Sequence, residues 1–170
     1  ANSGIYYQLP SYTILGYKDN NNVLINKNNG VRYIQSIHYI TGISYLPNKN
    51  SKISLEGFIK EYNYYPFLLN DSISLAFKPI DYGSVGNEPA NATSKGRALG
   101  TEFLLQTMLY QTINLSVSYT YAVSQFKDKM NVYRSTSWDN RHILNLTASK
   151  KFNKHWNLAI KWRYAGGLPY

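Results

Sequence analysis

The stretch SWDNRH at 137–142 places Asp139, Arg141 and His142 within four residues: a carboxylate, a guanidinium and an imidazole, the groups that proton transfer or metal ligation would use. No second histidine or carboxylate stands at ligand spacing from them, and His38 and His155 are isolated. A turn-forming Asp and a Trp anchor where a loop enters a strand account for the same residues. The chain has no cysteine, which removes thiol nucleophiles, thiolate metal sites and disulfides together. KGRALG at 95–100 is punctuated by glycine but continues into a strand rather than a helix, so it is not a phosphate cradle. No nucleophile, base and orienter can be assembled. The expectation is a protein that is not an enzyme and needs neither metal nor cofactor.

The elements that must position any binding residues follow a period of two. INLSVSYTYAVS at 113–124 puts Ile113, Leu115, Val117, Tyr119, Tyr121 and Val123 on one face and small or polar residues on the other. The rhythm recurs near 4–8 and at 34–46, 52–65, 97–109, 141–152 and 156–165, which gives seven strands with no competing helix. Between them the connections alternate, long at 9–33, 66–96 and 127–140, short at 47–50, 110–112 and 153–155. Tight turns at one end and long loops at the other are what a transmembrane barrel shows. Strands of about 12 residues, at roughly 3.3 Å each and tilted by about 40°, cross an apolar band of about 25 Å. Aromatics bracket the aliphatic stretches: Tyr119, Tyr121, Trp162 and Tyr164 toward the loop end, Tyr45 and Trp156 toward the turns.

Composition is compatible with this. Among 170 residues 44% are hydrophobic, and no run of about 18 apolar residues offers a spanning helix. The net charge of +9 arises from lysines beside predicted turns, such as Lys150, Lys151 and Lys154, and not from a nucleic-acid footprint. The opening ANSGIYYQLP has no signal-peptide pattern. Tyrosine, at 17 residues against 6 Phe and 3 Trp, is the telling excess, since its ring suits an interface between apolar and wet surroundings.

Several stretches resemble the C-terminal part of the barrel in TonB-dependent outer-membrane receptors, particularly those of Bacteroidetes. They are GIYYQLPSY at 4–12, IQSIHYITGISYLP at 34–47, ISLEGFIKEYNYYPF at 53–67, VGNEP at 85–89, KGRALGTEFLLQ at 95–106, TSWDNRHILNL at 136–146 and WRYAGGLPY at 162–170, in the same order. The resemblance implies an all-β, antiparallel, up-and-down transmembrane β-barrel of which these are about seven of 22 strands, the plug domain and final strands being absent. Seven strands alone would leave two open edges in lipid, so the chain is expected to be a fragment. It further implies nutrient uptake across the outer membrane of a Gram-negative bacterium, of a ferric siderophore, cobalamin, glycan or peptide. The implied partners are outer-membrane lipid, the TonB complex, the plug and the nutrient, with no nucleic acid.

On that architecture Glu102, Lys161 and Arg163 are expected to point into the lumen, and Tyr64, Tyr65, Tyr82, Arg97 and Arg141 complete the candidate ligand-binding set in loops or lumen. A soluble or surface-exposed β-sandwich binding module is the alternative, since a half-buried soluble sheet alternates in the same way. A small closed barrel enzyme would need one more strand and a polar catalytic group near the loops.

Overall fold

The computed structural model describes residues 1–78 and 86–167. Its strands are β1 (Asn2–Gln8), β2 (Ile34–Asn48), β3 (Ser51–Leu68), β4 (Ile73–Ser74), β5 (Ala90–Leu109), β6 (Ile113–Lys127), β7 (Tyr133–Ser135), β8 (Arg141–Lys151) and β9 (Asn157–Ala165). They form one antiparallel sheet in the order β1-β2-β3-β5-β6-β8-β9, with β4 on β3 and β7 on β6. The sheet is a single layer that does not close on itself among the described residues, and it is not the two-layer sandwich of the alternative reading.

The seven long strands match the sequence pattern, with three corrections. Strand β3 continues through NYYPF to Leu68, and β5 begins at Ala90, so the connection expected at 66–96 is much shorter. Two one-turn helices, α1 (Tyr12–Leu15) and α2 (Ile25–Asn28), and a 3₁₀ turn (Leu75–Phe77) occupy the long loops, where period-two reasoning is blind to a single turn. The short strands β4 and β7 fold back on their neighbours at the loop end.

Cross-strand partners in an antiparallel sheet share a face, so the register assigns every side chain. One row runs Ile43–Leu55–Phe103–Tyr119–Leu144–Tyr164 and the next Tyr45–Ile53–Leu105–Val117–Leu146–Trp162. On the opposite face the rows run Ser44–Ser54–Leu104–Ser118–Asn145–Arg163 and Lys52–Gln106–Ser116–Thr147–Lys161. The apolar face is uncovered: Ile43 is 72% exposed, Ile160 61% and Leu158 54%. Water would make such a surface costly across several strands, at about 25 cal/mol per Å² left wet.

The buried core is small and sits at the loop end, where Ile14, Leu68 and Ala90 pack with Val31, Ile73 and Leu75. Asn26 ties it together. Fully buried, it donates from Nδ2 to the carbonyls of Ile14 (2.7 Å) and Glu88 (3.0 Å) and accepts at Oδ1 from the Ala90 N–H (2.7 Å). The α1–α2 loop is thereby fastened to the residues leading into β5. Lys78 pairs with Asp71 at 2.7 Å and with Glu88, and these carboxylates hold the lysine pKa above its ordinary value, Asp71 first.

Two loop tips use the same device. In DNNNV (19–23) and DKMNV (128–132) the Asp Oδ1 accepts from the N–H groups two and four residues on, at 2.8–2.9 Å. The fourth residue, Asn22 or Asn131, takes positive φ (64° and 62°), which Asn tolerates better than most side chains.

Candidate functional site

The polar face is not uniformly small. Phe58 and Tyr62 on β3 and Phe126 on β6 interrupt it near the loop end, and with Tyr65 and Trp138 they wall a cavity of about 400 Å³. Phe126 is the pivot, 2% exposed, with Tyr65 tilted against it at 4.6 Å, Tyr62 stacked at 5.7 Å and Trp138 edge-on at 6.5 Å. The glycine between them makes this possible. Gly96 lies between Tyr62 and Phe126 in the register, and a Cβ there would run into the Phe126 ring. The aromatic ring covers the strand where a side chain is missing.

The polar groups of the cavity come from the β7–β8 connection and from β3. Asp139, 3% exposed, accepts at Oδ1 from the Ser124 N–H (3.4 Å) and at Oδ2 from Arg141 Nε (3.4 Å). Arg141 holds positive φ (55°) and donates from Nη2 to Ser135 Oγ at 3.4 Å. Trp138 Nε1 donates to Ser124 Oγ at 3.2 Å, which fixes the indole over β6. Lys60, 5.2 Å from the Phe58 ring centroid, lines the same cavity, and no ion pair to it forms among the described residues. Planar or ring-shaped ligands suit such walls by stacking, and Lys60 supplies a positive charge beside them.

The sequence candidates separate. Tyr65 and Arg141 line the cavity. Tyr64 stands at a register shift in β3 with φ 59°, and the Arg32 guanidinium lies 3.8 Å over its ring. Glu102, Lys161 and Arg163 are on the cavity's face of the sheet but farther toward the turns, with Glu102 opposite Glu56 across β3 and β5. Arg97 is on the other face, in register with Glu61 and Gln125. Tyr82 lies outside the described residues.

His142 is also on the apolar face, its Nδ1 2.8 Å from Tyr119 Oη, so the SWDNRH groups are split between two sides of the sheet. Among the described residues no three His, Cys, Asp or Glu side chains gather as metal ligands. Phe58, Lys60, Tyr62, Phe126 and Trp138 were missed as site residues. A signal existed: Phe126 is the aromatic residue that breaks an otherwise small, polar even-numbered face from Asn114 to Ser124.

A scan against models of protein families finds no match to this chain, and a search of curated proteins finds none either.

Proposed function

We propose that this sheet is an arc of an outer-membrane β-barrel belonging to a TonB-dependent transporter, and that the aromatic cavity contacts the incoming nutrient. The observation that carries the reading is the continuous, uncovered apolar face spanning the seven long strands, backed by a polar face on the same residues' neighbours. Lipid satisfies the first face and a water-filled lumen the second. Unpaired backbone edges are intolerable in hydrocarbon, so β1 and β9 are each partnered by further strands of the closed barrel. Long loops that pack on a core of their own, pinned by Asn26, form the outer mouth above the cavity. Ligand caught there meets Tyr65, Trp138, Lys60 and Arg141 before the lumen proper, and energy relayed through the plug opens the path beyond.

These 170 residues contain no cysteine, so a single introduced thiol adds no competing one within the sheet. Single cysteines placed in turn at 113–124 and 157–164 of the full-length protein in intact outer membranes are reacted with a membrane-impermeant maleimide. Even-numbered positions of β6 and odd-numbered positions of β9 should label, and their neighbours should react only with a lipid-soluble reagent. Uniform labelling of both faces would refute the membrane assignment. Uptake that persisted after removal of the plug-coupling segment would refute the energised part alone.

A further inference from the structure

Above the apolar rows, at the loop end of the same face, β5 and β6 carry two cations that converge on one ring. Arg97 Cζ lies 4.1 Å and Lys127 Nζ 5.5 Å from the centroid of Tyr133. Register fixes their side, since Arg97 pairs with Gln125 and Lys127 with Tyr133, two and four residues beyond Leu99 and Val123 of the apolar face. Gln125 Oε1 accepts from both Nε (3.1 Å) and Nη2 (2.9 Å) of Arg97, which holds the guanidinium in place and leaves its other N–H groups available. Glu61 stands opposite Arg97 across β3 and β5, yet among the described residues neither cation has an ion-pair partner. Two cations over one ring at the border of an apolar surface, Arg97 held by Gln125 and neither engaged in an ion pair among the described residues, suit an anionic headgroup.

One row past Leu99 and Val123 the apolar face is indented. Thr41, Gly57 and Thr101 form a row of small residues across β2, β3 and β5, between the larger rows Tyr39–Ile59–Leu99 and Ile43–Leu55–Phe103. The resulting furrow has a volume of about 690 Å³, is predominantly apolar and reaches Tyr121. Thr101 is four residues from Arg97, about 13 Å along the strand. The cations and the furrow are therefore aligned as the two ends of one lipid.

We infer that this face holds one phosphorylated membrane lipid, with its headgroup phosphate on Arg97 and Lys127 and an acyl chain in the furrow over Gly57. The inference rests on the lipid-facing reading of the sheet given above. Charge alone would also attract free phosphate, and the furrow is what selects a lipid.

The full-length protein, purified in detergent with added phosphatidylglycerol, is assayed for bound lipid by native mass spectrometry. Wild type should retain it, and Arg97→Gln with Lys127→Gln should lower retention by about tenfold or more, as loss of charge-assisted hydrogen bonds implies. Gly57→Leu should do the same by filling the furrow, because a Cβ at Gly57 meets only the Gly100 carbonyl oxygen at 4.0 Å and the fold accommodates it. Lys52→Gln, on the other face, should leave retention unchanged and serves as the folding control. Equal retention in all variants, or displacement of the lipid by millimolar inorganic phosphate, would overturn the inference. Absence of lipid from wild type, with labelling of the single-cysteine variants still alternating, would overturn it while leaving the lipid-facing reading intact; loss of the alternation would overturn both.

Discussion

Replacing Asn26 with Ala should uncouple the loop-end cap from the sheet without unfolding the strands. The side chain is fully buried and makes three hydrogen bonds to main-chain groups of two separate loops. Truncation strands the Ala90 N–H in a residue that is itself fully buried, at a cost of about 1–3 kcal/mol. The carbonyls of Ile14 and Glu88 lose a donor as well, but a carbonyl tolerates this better, so the total is about 3–4 kcal/mol. At about 1.4 kcal/mol per factor of ten, local opening becomes roughly 10²–10³ times more frequent. Hydrogen exchange reads this at the Val31 and Leu69 amides, which bond to the carbonyls of Asn26 and Pro89, while amides of Leu105 and Val117 in the sheet should keep their protection. Asn26→Asp should do no better than Ala, since it keeps an acceptor for Ala90 but aims a carboxylate at two carbonyls. Unchanged protection at Val31 and Leu69 in Asn26→Ala, or equal acceleration throughout the sheet, would refute the assignment of this residue as the pin.

Ile160→Arg, on the exposed apolar face of β9, should destabilise the bilayer-inserted protein by about 2–4 kcal/mol, whereas Ala159→Arg on the opposite face should cost far less; reversible folding into lipid vesicles measures both. Tyr110 and Gln111 hold φ of 50° and 57° at the tip of the β5–β6 hairpin, so Tyr110→Asn with Gln111→Gly should stabilise by about 1 kcal/mol in total, seen as slower unfolding or a higher midpoint in urea. The Asp128 carboxyl is held below its ordinary value of 3.8, first by the Val132 N–H and also by Arg134. Its contribution to the 128–134 loop should be fully present above that value and be lost as pH falls through the lower folded-state pKa. Asp128→Asn should remove that acid-side dependence, and exchange rates of the Met130 and Val132 amides between pH 5 and the acid limit check it.

Period two made the seven long strands legible, because a one-residue slip in any of them would move its whole apolar set to the wrong face. Val117, Leu146 and Trp162 share a row, as their parity required. The pattern also placed the tight turns and loops at opposite ends. What it could not reach were features set by contacts between distant segments. Asn26 looks like one more polar loop residue, and only folding brings it against Glu88 and Ala90, more than 60 positions on. Arg97 shares the parity of Leu99 and Phe103, so the alternation already put it on the apolar side; what folding adds is Gln125 beside it and the Tyr133 ring shared with Lys127. The one-turn helices were invisible because four residues carry too little periodicity to register.

The cavity and the apolar face are products of the same alternation, and that links the fold to the proposed activity. On the proposed membrane reading, a strand that gives every odd position to lipid has only its even positions left for a ligand, and most of those on β6 are small, which would keep an interior open. Under that reading recognition comes from rare bulky departures at the loop end, where they would narrow the mouth without filling the lumen. Phe126 is such a departure, and Gly96 beside it is the compensation that lets the ring lie flat on the sheet. Gly96→Ala should therefore leave the apolar rows intact but push Phe126 from its place between Tyr62 and Tyr65, opening the cavity wall. Ligand capture should fall while cysteine labelling along β6 keeps its two-residue period. A variant that lost the labelling period but kept capture would show that wall and face are not coupled through this strand.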